Sequence, residues 1–265
     1  MDSEKVNLWT RLTRPCFSFA ETGIFLAVVI AIACLVSWQN ISQQEILVRA
    51  ALRSPLAEVE LAKSGPRLSG EETYAKPYQF TQDWFTSNIP IWKAALADYQ
   101  GKPDVHYLEI GLYEGRSSLW MLEHVLTAPT STITGIDVFD GELRERFFAN
   151  LEQSGVAKDR YQIIVAPSQV VMRTLPLEHY DIIYIDGSHA TADVMEDAVL
   201  SYRLLKTGGI LIFDDYLWMG AIKKGELTHD ADEDFPKLAI DRFVESFADR
   251  LDVIHNGYQL ILKKK

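Results

Sequence analysis

The sequence predicts an α/β domain built on a doubly wound, mostly parallel sheet with an antiparallel pair at its C-terminal edge. Three observations carry this prediction. Short β-rich runs alternate with helical stretches beyond about Asp83, the pattern of βαβ units around a parallel sheet. Two apolar runs, 180–186 (YDIIYID) and 208–215 (GGILIFDD), end in carboxylates, at the strand ends where open parallel sheets bind ligands. Asn256-Gly257 separates two further β-rich runs, and its tolerance of positive φ marks a hairpin turn.

Taken in order, strands are expected over 105–110, 132–137, 161–166, 181–186 and 208–214, each a short run of aliphatic, aromatic and β-branched residues. Helices are expected between them over 115–126, 142–153, 170–175 and 190–205. The runs 251–255 and 258–263 flank Asn256-Gly257 and form the closing antiparallel pair.

The chain has 265 residues, 48% of them hydrophobic, enough for one good-sized α/β domain plus an appendage. Its net charge is −11 and no basic stripe appears, which argues against nucleic acid as a partner. The two cysteines, Cys16 and Cys34, lie near the N-terminus, so the large domain has no disulfide, thiol nucleophile or zinc cluster of its own.

After an N-terminal tail (1–21), residues 22–38 (TGIFLAVVIAIACLVSW) carry no charge and end on Trp38. They read as a single membrane-spanning helix, at the short end of the spanning range; a signal-peptide core or a buried helix fits the same run. Lys5, Arg11 and Arg14 precede it and Arg49 and Arg53 follow. The positive-inside bias weakly favours a cytoplasmic N-terminus, with the large domain on the other side. Residues 39–82 are polar and broken by Gly65-Pro66 and Lys76-Pro77; they read as a stalk leading to the large domain at 83–265.

The first strand runs into Leu108-Glu109-Ile110-Gly111-Leu112-Tyr113-Glu114-Gly115, then Arg116, Ser117 and Ser118. Gly111 and Gly115 permit a tight turn and close approach to a ligand, and Glu109 can accept hydrogen bonds at the strand end. Asp137 closes the second strand, where a carboxylate can take both hydroxyls of a ribose. A dinucleotide loop would show G-x-G-x-x-G, whereas this loop shows G-x-x-x-G. Acids at Glu109 and Glu114 also repel a pyrophosphate, so an uncharged or cationic nucleoside such as S-adenosylmethionine fits better.

Residues 108–117, Asp137, Ala166-Pro167-Ser168-Gln169 and the strand-end acids resemble a class I S-adenosylmethionine-dependent methyltransferase of the small-molecule O-methyltransferase type, both catechol and macrocin-like. The resemblance covers roughly 84–263 and implies a Rossmann-like sheet in the order 3-2-1-4-5-7-6. It implies that Glu109, Gly111, Tyr113, Gly115 and Ser117 hold the cofactor's methionine end, that Asp137 grips the ribose, and that Ser168 and Gln169 meet the adenine. It further implies a magnesium ion on Asp186, Asp214 and Asp215, which would orient an acceptor hydroxyl and lower its pKa.

Three clustered acids repel one another, and a hard divalent cation relieves them; a separate turn-capping role for each acid is the alternative. Where catechol-type enzymes place a basic lysine, three residues after the first metal acid, this chain has His189. A histidine can serve as general base near neutrality, or it can merely hydrogen-bond the turn, and Ser188 can act as an N-cap. His106 reads as a core histidine, with His124 and His179 on the surface. Trp84, Phe85 and Trp92 read as core by their spacing, 216–219 (YLWM) as a wall of the acceptor pocket, and the acid-rich 230–234 as a solvated loop.

The function expected is methyl transfer to a diol, sugar or phenolic hydroxyl of a small molecule, on a membrane-anchored chain. A metal-independent methyltransferase and a non-catalytic tethered module are the alternatives. A nicotinamide-dependent dehydrogenase lacks its third glycine.

Overall fold

The computed structural model describes residues 74–218 and 235–265. Its strands are β1 (His106–Ile110), β2 (Thr132–Asp137), β3 (Tyr161–Val165), β4 (Tyr180–Ile185), β5 (Leu205–Phe213), β6 (Leu251–Asn256) and β7 (Leu260–Lys264). They form one sheet in the order β3-β2-β1-β4-β5-β7-β6, the order the resemblance implies. The pairs from β3 through β5 are parallel, and β7 runs antiparallel to both β5 and β6. The winding reverses between β1 and β4. Their carboxyl ends therefore open side by side on the crevice where ligands of such sheets bind.

The helices are α1 (Ile89–Ala95), α2 (Arg116–His124), α3 (Gly141–Ser154), α4 (Ser168–Val171), α5 (Thr191–Leu204) and α6 (Pro236–Ser246). Successive strand residues point to opposite faces, and the core divides accordingly. Tyr107, Ile182, Tyr184 and Ile212 join a cluster with Trp92, Trp120 and Phe147, whereas Leu108, Ile183, Leu211 and Phe213 join one with Leu204 and Phe243. The central strands β1 and β4 are covered on both faces, which is why they read as nearly unbroken apolar runs.

Strand boundaries match the expectation to within three residues. Two helices were not expected. Helix α1 carries Ile89 and Trp92 into the core, and α6 starts with Pro236 in its first turn and buries Ala239, Ile240 and Phe243, a spacing that aligns them on one helical face. The helix expected over 170–175 is one turn, α4, followed by a 3-10 turn at Met172–Thr174.

The described end of the expected stalk is a strap on the domain. Tyr74 is buried and its hydroxyl donates to Arg116 O at 3.0 Å. Gln79 and Asn150 exchange two bonds of 2.8 Å, backbone N–H to Oδ1 and Nδ2–H to backbone O. The polar residues that suggested a stalk satisfy backbone groups instead. The run 22–38, both cysteines and residues 39–73 lie outside the described residues. Among the described residues no helix is long and apolar enough to cross a membrane.

Candidate active site

The loop after β1 is held by Asp137. Asp137 Oδ2 accepts from the backbone N–H of Leu112 (2.7 Å) and Tyr113 (3.1 Å), and Oδ1 accepts from Phe139 N–H at 2.7 Å. These charge-assisted bonds hold Tyr113 at φ +49°, a region that costs a non-glycine residue about 1 kcal/mol or more. Gly111 is required by contact as well as by conformation. At φ +84° a Cβ there would lie 2.0 Å from the Asp186 carbonyl oxygen, so the loop backbone rests directly on the end of β4. Gly115, also at φ +84°, opens α2.

The two glutamates of the loop are bonded to groups of the protein itself and do not line the cleft. Glu109 is fully buried and accepts from the hydroxyls of Ser117 and Ser118, the latter at 2.6 Å. Burial raises its pKa to about 7 against the lowering effect of the serines. It braces the first turn of α2 from beneath. Glu114 turns away from the cleft to Thr81 N–H and Oγ1, both at 2.6 Å, and to Arg146 Nη1 at 2.6 Å. Burial opposes ionisation of Glu114, yet the bonds from Thr81 and Arg146 outweigh it and lower its pKa. The expectation that Glu114 repels a pyrophosphate is therefore corrected: its charge is spent on fastening the strap.

A cleft of about 490 Å³ opens at the carboxyl ends of β1, β2 and β4. Five residues expected at the cofactor line it: Gly111, Tyr113, Asp137, Ser168 and Gln169. Glu109, Gly115 and Ser117 stand behind the wall as supports. Sequence reasoning missed Val138, Phe139 and Leu143, which supply its apolar lining; the available signal was an apolar pair directly after a strand-end acid. It also missed Asp197, buried on α5, whose Oδ1 accepts from Ser168 Oγ at 2.7 Å.

Asp186 lines one end of this cleft and belongs also to a second group. Asp186, Asp214 and Asp215 each offer an oxygen within 4.8 Å of the others. Tyr184 donates to Asp186 at 2.9 Å, Tyr258 to Asp215 at 2.9 Å, and Gln259 Nε2 to Asp214. Gln259 is fixed in turn by Trp92 Nε1–H at 2.8 Å. Among the described residues, no Lys or Arg pairs with the three acids and none of their side chains accepts a backbone N–H, so they are not turn caps. Burial, then mutual repulsion, pushes Asp186 well above the usual carboxylate range and Asp214 to about 6. A compact set of carboxylate oxygens that repel one another fits a hard divalent cation such as magnesium.

His189 adjoins this group. Its Nε2 lies 2.9 Å from Asp215 Oδ2, and its ring stacks on Trp218 at 4.4 Å and 12°.

Residues 108–216 match the sequence family described as a methyltransferase domain. An uncharacterized protein, R132, of Acanthamoeba polyphaga mimivirus is 31% identical over 130 residues, 46% of this chain and 56% of that protein. A protein of Mycobacterium sp. (strain JLS) named "Putative O-methyltransferase" is 32% identical over 105 residues, 40% of this chain and 46% of that one. The chain thus spans about half the length of the curated relatives it matches. The SAH-bound Podospora anserina methyltransferase PaMTH1 shares the fold, with a TM-score of 0.50 at 18% identity over 84% of this chain and 95% of that one.

Other residues sort differently from expectation. Phe85 and Trp92 are core, but Trp84 is 65% exposed and packs on Tyr113 at 5.1 Å. Tyr216 and Leu217, expected at an acceptor pocket, pack inward. Tyr216 is buried against α6 with its hydroxyl 2.9 Å from Asp241 Oδ1, and Leu217 packs on the same core cluster; both are drawn inward by the apolar face of the helix that the sequence reading missed. Met219 and 230–234 lie outside the described residues. His106 and His179 stack at 4.2 Å at the amino ends of β1 and β4, away from the cleft, and His124 stacks on Trp120.

Proposed function

We propose that the chain transfers a methyl group from S-adenosylmethionine to a hydroxyl of a small molecule, with a divalent cation held by Asp186, Asp214 and Asp215. One observation supports this above the rest: Asp186 belongs to the cleft wall and to the acid group at once, so donor site and cation site share a boundary. The nucleoside lies along Val138, Phe139 and Leu143, with Asp137 toward the ribose and Ser168 and Gln169 toward the polar edge of the base. The apolar residues exclude water, and the loop on Asp137 is already in place before a ligand arrives, which lowers the ordering cost of binding.

A magnesium ion bound to the three acids would supply a Lewis acid that favours ionisation of an acceptor hydroxyl. The residues then have mainly to orient the reactants, because methyl transfer from sulfonium to oxygen is governed by alignment. His189 takes the hydroxyl proton in this proposal. Its Nε2 is held 2.9 Å from Asp215 Oδ2, and the Trp218 ring sets the plane of the imidazole. We further propose that 22–38 anchors the domain to a membrane, which protease protection in intact vesicles would test.

Calorimetric titration of S-adenosylhomocysteine into the full chain tests the central assignment. Micromolar binding that weakens about 100-fold in Asp137→Ala is expected, since that change strips three backbone donors of their acceptor. Wild-type protein that takes up no S-adenosylhomocysteine would sink the proposal.

A further inference from the structure

Asp197 is a buried acid that the proposed chemistry does not use. It is 1% exposed, on the face of α5 turned toward α4, and its Oδ1 lies 2.7 Å from Ser168 Oγ. Burial, with smaller contributions from Asp193 and Glu196, raises its pKa to about 6, so near neutral pH it is an ionised group that accepts hydrogen bonds and donates none. Ser168 opens α4 and lines the cleft. A serine hydroxyl has one hydrogen, and here it is committed to a carboxylate behind the wall. What the hydroxyl can offer the cleft is a lone pair only.

We propose that Asp197 is a positioning residue that makes the Ser168 hydroxyl a one-way acceptor, and that this selects a ligand base bearing an exocyclic amine over one bearing an oxo group. The inference rests on the reading that the cleft holds the adenosyl cofactor. The apolar side chains of the cleft favour a flat heterocycle, but they recognise purines without distinguishing them. Polarity must be read at the edge of the base, and a hydroxyl free to rotate would accept from an amine or donate to an oxo group equally well. Tying its hydrogen to Asp197 removes the second option. An oxo group would then face a lone pair, and both acceptors would be left desolvated without a donor.

The test compares S-adenosylhomocysteine with its 6-oxo counterpart, S-inosylhomocysteine, by calorimetry on the full chain at neutral pH. Wild type is expected to prefer the adenosyl compound by about tenfold or more. Asp197→Asn keeps the size of the side chain but can donate to Ser168 Oγ, which frees the hydroxyl hydrogen to turn into the cleft. The preference is then expected to fall below about threefold through tighter binding of the inosyl compound. Ser168→Ala should flatten the preference, and Asp197→Asn added to it should change nothing more. Because the readout is a ratio of two ligands on one protein, a general loss of folding lowers both affinities and leaves the ratio unmoved. Equal binding of the two compounds by wild type, or a full preference retained in Asp197→Asn, overturns the inference. Failure of wild type to bind either compound overturns the assignment of the cleft instead.

Discussion

The acids at the ends of β1 and β2 are satisfied by the protein itself, whereas those at the ends of β4 and β5 face one another. Asp137 accepts three backbone N–H groups, and Glu109 is bonded to two serine hydroxyls. Among the described residues, Asp186, Asp214 and Asp215 are met by Tyr184, Gln259, Tyr258 and His189 rather than by Lys or Arg, and they crowd within 4.8 Å. The difference separates two uses of one residue type. In the first half the carboxylates shape a loop, and the site is complete without an ion. In the second half the acids repel one another, and in the function proposed above a cation between them relieves that repulsion. Gly111, pressed on the Asp186 carbonyl, is the joint between the halves.

Breaking that joint should have the largest effect. Gly111→Ala places a Cβ where 2.0 Å separates it from Asp186 O, and we expect a loss of at least about 3 kcal/mol in denaturant unfolding, together with loss of S-adenosylhomocysteine binding. A cost below about 1 kcal/mol would show that the two strand ends move apart freely.

Glu109 sharpens the comparison through pH. Its carboxyl has an ordinary value of 4.5 and is raised to about 7 in the fold. Between these values the native state keeps a proton that the unfolded chain has lost, so stability falls as pH rises from 4.5 to 7. Relative to Glu109→Gln, wild type should lose about 3 kcal/mol across that window. Parallel pH profiles of the two proteins would contradict the raised pKa that burial gives Glu109.

The same chemical change should act with opposite signs in the two halves. Asp137→Asn removes the charge that three N–H donors share and should destabilise by about 2 kcal/mol. Asp214→Asn with Asp215→Asn removes repulsion and should stabilise the metal-free protein by about 1 kcal/mol, while weakening Mn2+ binding about 100-fold and leaving S-adenosylhomocysteine affinity within about threefold. Thermal melts and titrations of the three proteins check all of these values, and a shared sign would erase the distinction.

Much of this was legible in the chain because strand periodicity and strand-end chemistry are local. The strands, the glycine loop, Asp137 and the acid group follow from short runs such as YDIIYID and GGILIFDD, whereas the sheet order was implied only by the family resemblance those runs carry. Less legible was where each acid spends its oxygens. Glu109 and Glu114 sit in one loop, yet one is buried under α2 and the other fastens a strap that begins before Thr81, a pairing made only by tertiary contact. The strap itself looked like a stalk because its polar residues bond to distant backbone. Helix α6 was hidden behind an acid-rich run, and with it the reason that Tyr216 and Leu217 turn inward. Asp197 gave no sign at all, since its partner Ser168 lies 29 residues away.

The claim that donor cleft and acid group form one methyl-transfer site is tested most directly by turnover under metal control. The full chain, incubated with methyl-labelled S-adenosylmethionine and a pool of hydroxyl-bearing acceptors, is assayed before chelation, after exhaustive chelation, and after addition of magnesium. We predict label in an O-methyl product, loss of that product on chelation, and its return with magnesium. Full transfer after chelation would contradict the role assigned to Asp186, Asp214 and Asp215.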